Sequence, residues 1–270
     1  MMATSNRDIE TISILGSGWL GLPLAEHFIA QGYRVRISTT SRSRLPALAA
    51  LPAAAFVIDI GKPTDDIQAF LESAVLIVNI TSKDIAGFER LVKAIENSGV
   101  EKVLFVSSTS VYPADSQLVS ESDGKESPQH PLVIIENLFT QNPNFQTTIL
   151  RFAGLVGYSR HPGRFFRGGK QVTNADSTVN LIHRDDCINI IDRIVSNEVW
   201  GETFNGCADT HPRKREFYAR AARHLGVPPP VFADSSDQSF KRVDNRKLKR
   251  VLGYEFVYPD LMAIDFDEHG

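Results

Sequence analysis

Cysteine is scarce in this sequence. Cys187 and Cys207 are the two present in 270 residues, too few for a disulfide framework and without the spacing of a metal-ligand set. Free buried thiols in a reducing, cytoplasmic compartment are therefore expected, and no metal site is. The chain has no stretch of eighteen apolar residues, which excludes a membrane-spanning helix. Charge of one sign is also lacking: 29 Lys and Arg stand against 32 Asp and Glu, a net of −3. Such a balance gives no general attraction to nucleic acid. The first ten residues are polar and hold no apolar leader segment, so a frayed start is expected. Internal repeats and low-complexity tails are absent too. What is present is 42% hydrophobic against 23% charged residues, the composition of a soluble enzyme able to bury a substantial core.

That apolar content is organised. Thr11 to Leu15 is a β-branched run, and Leu20, Leu24, Ala25, Phe28 and Ile29 then recur at helical spacing until Gly32. Further apolar runs at 35–38, 56–60, 74–80, 103–106 and 147–151 predict strands. Helical patterns follow at 85–95, 132–139, 187–195 and 216–225. Strands that are apolar throughout, rather than at alternate positions, are covered on both faces, which means a parallel sheet between helices. The predicted fold is α/β: a doubly wound parallel sheet of the Rossmann kind with helices on both faces and a small C-terminal substrate lobe. The expected layout is one unit over 1–270, its core at 9–156 plus 172–206 and the lobe at 157–171 and 207–270.

The first turn carries Gly16-Ser17-Gly18-Trp19-Leu20-Gly21 between a predicted strand and a predicted helix. A dinucleotide pyrophosphate needs close backbone approach and N–H groups aimed at it from a helix N-terminus. Gly16 permits the tight turn, Gly18 leaves room for the phosphates, and Gly21 lets the helix press on the sheet. Asn79 and Ser107, at the ends of later strands, are expected to face the same ligand. An acidic residue about 20 positions past the loop would bind the ribose 2′-hydroxyl of NAD. Here Ser38, Thr39, Thr40 and Ser41 lie there instead, with Arg42 and Arg44 behind them. Hydroxyls and guanidinium suit a 2′-phosphate, so NADP is expected over NAD, with Thr40 and Arg42 as contacts. Both arginines on a solvated loop is the competing reading. Asp59 is expected either to accept from the adenine amine or to cap the next helix.

Four segments in order extend the pattern: Leu15 to Gly21, Phe105-Val106-Ser107-Ser108-Thr109-Ser110-Val111-Tyr112-Pro113, Leu150-Arg151-Phe152-Ala153-Gly154-Leu155-Val156-Gly157, and Val179-Asn180-Leu181-Ile182-His183-Arg184-Asp185-Asp186. With them the chain resembles the short-chain dehydrogenase/reductase superfamily, in its extended and atypical branches related to nucleoside-diphosphate-sugar epimerases and dehydratases. The resemblance implies that Ser108 hydrogen-bonds the reacting oxygen. It also implies a Tyr-x-x-x-Lys dyad, but the matching stretch reads Leu132-Val133-Ile134-Ile135-Glu136. A leucine moves no proton, and a carboxylate raises rather than lowers the pKa of a nearby phenol. A substitute donor is then sought among Tyr112, Tyr158, His161 and His183. Tyr112 packed under its loop, His183 holding its loop and Asp185 capping a helix are the structural alternatives.

Arg160, Arg164, Arg167 and Lys170 cluster where relatives hold substrate phosphates, and imply an anionic small molecule unless they only decorate a solvated loop. The later basic run of Lys241, Arg242, Arg246, Lys247, Lys249 and Arg250 reads as a solvated helix face, and no nucleic acid partner is expected. Two functions follow. One is an NAD(P)-dependent oxidoreductase or epimerase-like enzyme acting on a hydroxyl or carbonyl of an anionic, sugar-nucleotide-like substrate, with Ser108, Tyr112 and His183 as catalytic candidates. The other is a non-catalytic NADP(H)-binding sensor, favoured by the missing dyad. The superfamily resemblance further implies a homodimer through the helices after the fourth and fifth strands. The glycine pattern alone also suits a β-hydroxyacid dehydrogenase, which the continuing α/β alternation argues against.

Overall fold

The computed structural model describes residues 11–115, 117–166, 171–233 and 239–266. In chain order the elements are β1 (Thr11–Leu15), α1 (Gly21–Ala30), β2 (Arg34–Thr39), α2 (Leu45–Leu48), β3 (Ala54–Val57), α3 (Ile67–Phe70), β4 (Val75–Val78), α4 (Ile85–Glu96), β5 (Lys102–Ser108) and β6 (Gln117–Val119). They continue as α5 (Pro131–Thr140), β7 (Gln146–Phe152), β8 (Gly154–Val156), β9 (Leu181–His183), α6 (Arg184–Ser196), β10 (Thr203–Gly206), α7 (Lys214–His224), β11 (Lys241–Val243) and α8 (Arg246–Leu252).

Seven strands form one sheet in the order β10-β7-β5-β4-β1-β2-β3, the doubly wound pattern that continuous apolar strands predict. β4 is buried at all four of its positions, as a strand covered on both faces must be. β1 pairs in parallel with β2 and with β4, and β2–β3 and β4–β5 are parallel as well. The chain turns from one side of β1 to the other between β3 and β4. Ligands of such sheets bind outside the carboxyl ends of the strands at this reversal, and the glycine loop follows β1 there. The third strand lies earlier than expected: it ends at Val57, and Asp59 then turns the chain by accepting from the Gly61 N–H at 3.0 Å. Ala54 and Ala55 are too weakly apolar to have marked its start.

Contacts divide the described residues into two compact units. One falls within Met1–Ser107, Pro128–Ile149 and Glu198–Glu202, the other within Ser108–Ser127, Leu150–Asn197 and Thr203–Gly270. The division differs from the expected core and lobe, since 108–127 and all of 150–197 group with the C-terminal part. In the first unit Phe88 of α4, Phe105 of β5 and Phe139 of α5 form an aromatic cluster, with Phe105 and Phe139 centroids 5.1 Å apart. In the second, Val156, Leu181, Phe217, Leu261 and Ile264 belong to a separate core. Parallel two-stranded pairs β6–β11 and β8–β9 also lie in this second unit. Both cysteines are buried and free. Among the described residues no helix is long and apolar enough to cross a membrane, and no three His, Cys, Asp or Glu cluster as a metal site.

Candidate functional site

The loop between β1 and α1 is built as a phosphate cradle. Gly16 has φ of +105°, and a Cβ there would lie 2.5 Å from the Asn79 carbonyl oxygen. Its N–H donates to Ser38 Oγ at 2.9 Å, which ties the loop to β2. A Cβ on Gly21 would overlap the Gly16 carbonyl oxygen and would stand 2.9 Å from Asn79 Nδ2, so α1 reaches the strand end only because this residue is glycine. Gly18 is different: a Cβ there would meet nothing within 4 Å. The space above it is open. Leu20, at the helix N-cap, makes no side-chain capping bond, and the first turn of α1 carries no acid. Its end therefore keeps the partial positive charge that favours an anion. Ser17 Oγ is buried without a hydrogen-bond partner. Such a hydroxyl costs about 1–3 kcal/mol until something bonds it, and a phosphate oxygen would. Gly16, Ser17, Gly18, Trp19, Leu20, Gly21 and Asn79 thus fit a dinucleotide pyrophosphate.

Past β2, Thr39 Oγ1 accepts from the Ser41 N–H at 3.3 Å, and Thr40 is exposed. Arg42 opens a short 3₁₀ turn and faces solvent. Arg44, two residues on, donates from Nη2 to the Ser17 carbonyl at 2.9 Å. The guanidinium anchored at the glycine loop is thus that of Arg44 and not of Arg42. Asp59 closes the turn onto Gly61 and faces Lys62 at 3.6 Å, so it does not cap α3, whose N-cap is Asp66.

At the far end of β5, Ser107 Oγ donates to Glu136 Oε1 at 2.5 Å. Ser107 is 7% and Glu136 3% exposed. Glu136 projects from α5 one turn after Leu132, which packs against the aromatic core. The structure thus places a buried carboxylate and an apolar side chain where the superfamily resemblance implies ammonium and phenol.

In the second unit Ser108 accepts from the Ser110 N–H at 3.1 Å and opens a 3₁₀ turn, Thr109–Val111. Lys241 fastens this turn from β11 by donating to the carbonyls of Thr109 and Tyr112, both at 2.7 Å. Burial lowers the Lys241 pKa. Tyr112 is 1% exposed. Its hydroxyl receives a 2.7 Å bond from Arg151 and donates to Asn205 at 3.1 Å, while Arg151 is ion-paired with Glu126. Burial pushes the phenol up to about 12. These bonds hold Tyr112 as a tyrosine packed under its loop is held.

His183 is held in a comparable way. It is buried, its Nδ1 accepts from the Asp185 N–H at 3.3 Å as the N-cap of α6, and its Nε2 lies against the Gly157 backbone, where a Cβ would collide with it. Tyr258 covers the ring at 3.9 Å. The cap is thus His183 rather than Asp185, which accepts from the Tyr158 hydroxyl at 2.8 Å. His161 is buried as well, and its Nδ1 accepts from Gly163. Asp186, wholly buried, accepts from the Tyr254 hydroxyl and from the Val257 and Tyr258 N–H groups, which moors the C-terminal segment.

The basic residues sort unexpectedly. Arg160 and Arg164 are exposed, and Arg167 lies outside the described residues. Within the same unit a cavity of about 580 Å³ is lined by His211, Arg213, Phe240 and Arg242, with Asp176 and Glu216 on its wall. Arg242 was legible only as one member of a charge run. Arg151 carried a clearer signal: a lone arginine inside an apolar strand requires a buried partner.

The model of the NAD dependent epimerase/dehydratase family matches residues 12–205. Protein YeeZ of Escherichia coli (strain K12) is 30% identical over 279 aligned positions, which cover 96% of this chain and 100% of that protein. Among solved structures, a conserved protein from Silicibacter pomeroyi DSS superposes with a TM-score of 0.77 at 22% identity, over 94% of this chain and 95% of that one. The UDP-glucuronic acid 4-epimerase from Bacillus cereus, solved in complex with NAD, gives 0.75 at 18% identity, over 95% and 96%. On the glycine loop, the sheet order and these likenesses together, the chain belongs to the NAD dependent epimerase/dehydratase family.

Proposed function

We propose that this protein is an NADP(H)-dependent oxidoreductase or epimerase acting at a hydroxyl or carbonyl of an anionic small molecule of the sugar-nucleotide class. The observation that carries the reading is the glycine loop, tight at Gly16 and Gly21, open at Gly18, with the buried Ser17 hydroxyl unpartnered. Arg44 on the Ser17 carbonyl supports a 2′-phosphate, and so NADP over NAD. A nicotinamide dinucleotide bound at this loop would supply the hydride chemistry. Ser108 donates its hydroxyl proton as a hydrogen bond to the reacting oxygen and so withdraws charge from the carbon. Tyr158, half-buried with its hydroxyl donating to Asp185, is the proton donor this reading retains, since Tyr112, His161 and His183 are buried and it is not. Arg213 and Arg242 in the cavity supply the anion-binding character. A cytoplasmic homodimer belongs to the same proposal, and sedimentation at the mass of a single 29.9 kDa chain would remove the dimer.

Leu132 and Glu136 in place of the dyad favour a second reading, a dinucleotide sensor without turnover. One experiment separates the two. Purified protein is titrated calorimetrically with NADPH and NADH, and hydride transfer to a panel of keto-sugar nucleotides is followed at the NADPH absorbance band. Binding of NADPH that weakens in Arg44→Ala, with turnover lost in Ser108→Ala, supports the enzyme. Binding without turnover on any substrate leaves the sensor. No binding of either nucleotide removes both.

A further inference from the structure

The Ser107–Glu136 pair lies in the unit that carries the glycine loop, and the topology says which half of a dinucleotide it serves. The pyrophosphate belongs at the end of β1, beside the reversal in the order β5-β4-β1-β2-β3. Arg44 and the 2′-phosphate side extend over β2 and β3. The nicotinamide half then extends over β4 and β5, and Ser107 is the penultimate residue of β5. Glu136 is 3% exposed and receives the Ser107 hydroxyl at 2.5 Å. The residue is fixed there by α5, which is packed through Ile135 and Phe139 into the aromatic core. Where the superfamily pattern implies a fixed positive charge, this chain carries a negative one.

Oxidised nicotinamide is a cation and reduced nicotinamide is neutral. A buried carboxylate near that half of a bound cofactor would stabilise the first relative to the second, because solvent screens it little. We infer that Glu136 is a specificity-determining residue that selects the oxidised cofactor, so that the protein holds NADP⁺ about tenfold more tightly than NADPH. The inference rests on the dinucleotide reading above. It also gives direction: a site that holds the oxidised form more tightly makes the bound reduced form the stronger hydride donor, by the same tenfold factor.

The test is calorimetric titration of the wild-type chain, Glu136→Gln and Ser107→Ala with NADP⁺ and NADPH separately, with no substrate present. Gln keeps an oxygen for the Ser107 hydroxyl and removes the charge. The expected result is tighter NADP⁺ binding by wild type, a ratio that falls to near one in Glu136→Gln, and a ratio largely kept in Ser107→Ala. Wild-type binding of NADPH equal to or tighter than NADP⁺ overturns the inference whether or not the variants fold. An unchanged ratio in Glu136→Gln overturns it as well and leaves dinucleotide binding standing. Failure of wild type to bind either form removes the dinucleotide reading and this inference together.

Discussion

Gly18 and Gly21 belong to one loop, yet alanine should act on them in opposite ways. Gly18 is absent from the positive-φ glycines, and a Cβ there meets nothing within 4 Å. Alanine adds no strain to the free protein and removes freedom from the unfolded chain, which stabilises by about 0.4–1 kcal/mol. In a chain of this size that raises the melting temperature by roughly 1–4 °C. The same methyl fills the space a pyrophosphate must enter, so affinity for NADPH should fall at least tenfold, or about 1.4 kcal/mol. With NADPH at 100 times the wild-type Kd, ligand binding stabilises wild type by about 2.7 kcal/mol and Gly18→Ala by half of that or less. Gly21→Ala drives a methyl into the Gly16 carbonyl oxygen, a backbone atom that cannot rotate aside. It should cost about 3 kcal/mol with no ligand present. Thermal melts of the three proteins with and without NADPH read both quantities. A full ligand-induced shift in Gly18→Ala, or a loss of stability in its absence, would refute the cradle.

Three further outcomes follow from the second unit. Tyr112→Phe should lower stability to urea by about 1–2 kcal/mol without altering the pH profile of any turnover, and Arg151→Met, which strands Glu126, should cost about 3–5 kcal/mol. A pH profile that loses a limb in Tyr112→Phe would restore a catalytic role. Burial, reinforced by Arg242, lowers the pKa of His211 from 6.5. The unfolded chain then takes up the proton first, so stability should fall as pH drops below about 6.5 until the lowered folded value is passed. His211→Gln should flatten that fall, and denaturant midpoints across pH 4 to 7 measure it. Burial raises both thiols, Cys207 to about 12. Native protein at pH 8 should resist a chromogenic disulfide reagent that labels both after denaturation; fast labelling of either would place it at the surface.

Much of the glycine-loop unit is legible from its residues. β1 and α1 are recoverable to within a residue because a β-branched run, three glycines and a helical apolar stripe agree with one another. β4, α4, β5 and α5 follow for the same reason. β6, β8, β9 and β11 are three-residue strands, too short for any period to show. The identity of the anchored arginine was hidden because Arg42 and Arg44 share a single 3₁₀ turn, and the bond that anchors Arg44 reaches back 27 positions to Ser17. The histidine of the Leu181-Ile182-His183 segment resembles a catalytic group in a list of residues. Only its position at a helix start, with its ring lodged on Gly157, shows that it serves α6. The substitution of the dyad was plain in the sequence, whereas the partner of Glu136 was not: Ser107 and Glu136 are 29 positions apart.

The path of the chain between the two units has consequences for synthesis and descent. It changes unit five times, after Ser107, Ser127, Ile149, Asn197 and Glu202. A ribosome must therefore release residue 202 before the glycine-loop unit has all its parts, so neither half can finish folding while the other waits unmade. Proteolytic nicking at any one of these crossings yields no fragment that is one unit alone. Gene fusion faces the same interleaving: a new second unit cannot be spliced on as a tail, because the chain enters that unit three separate times.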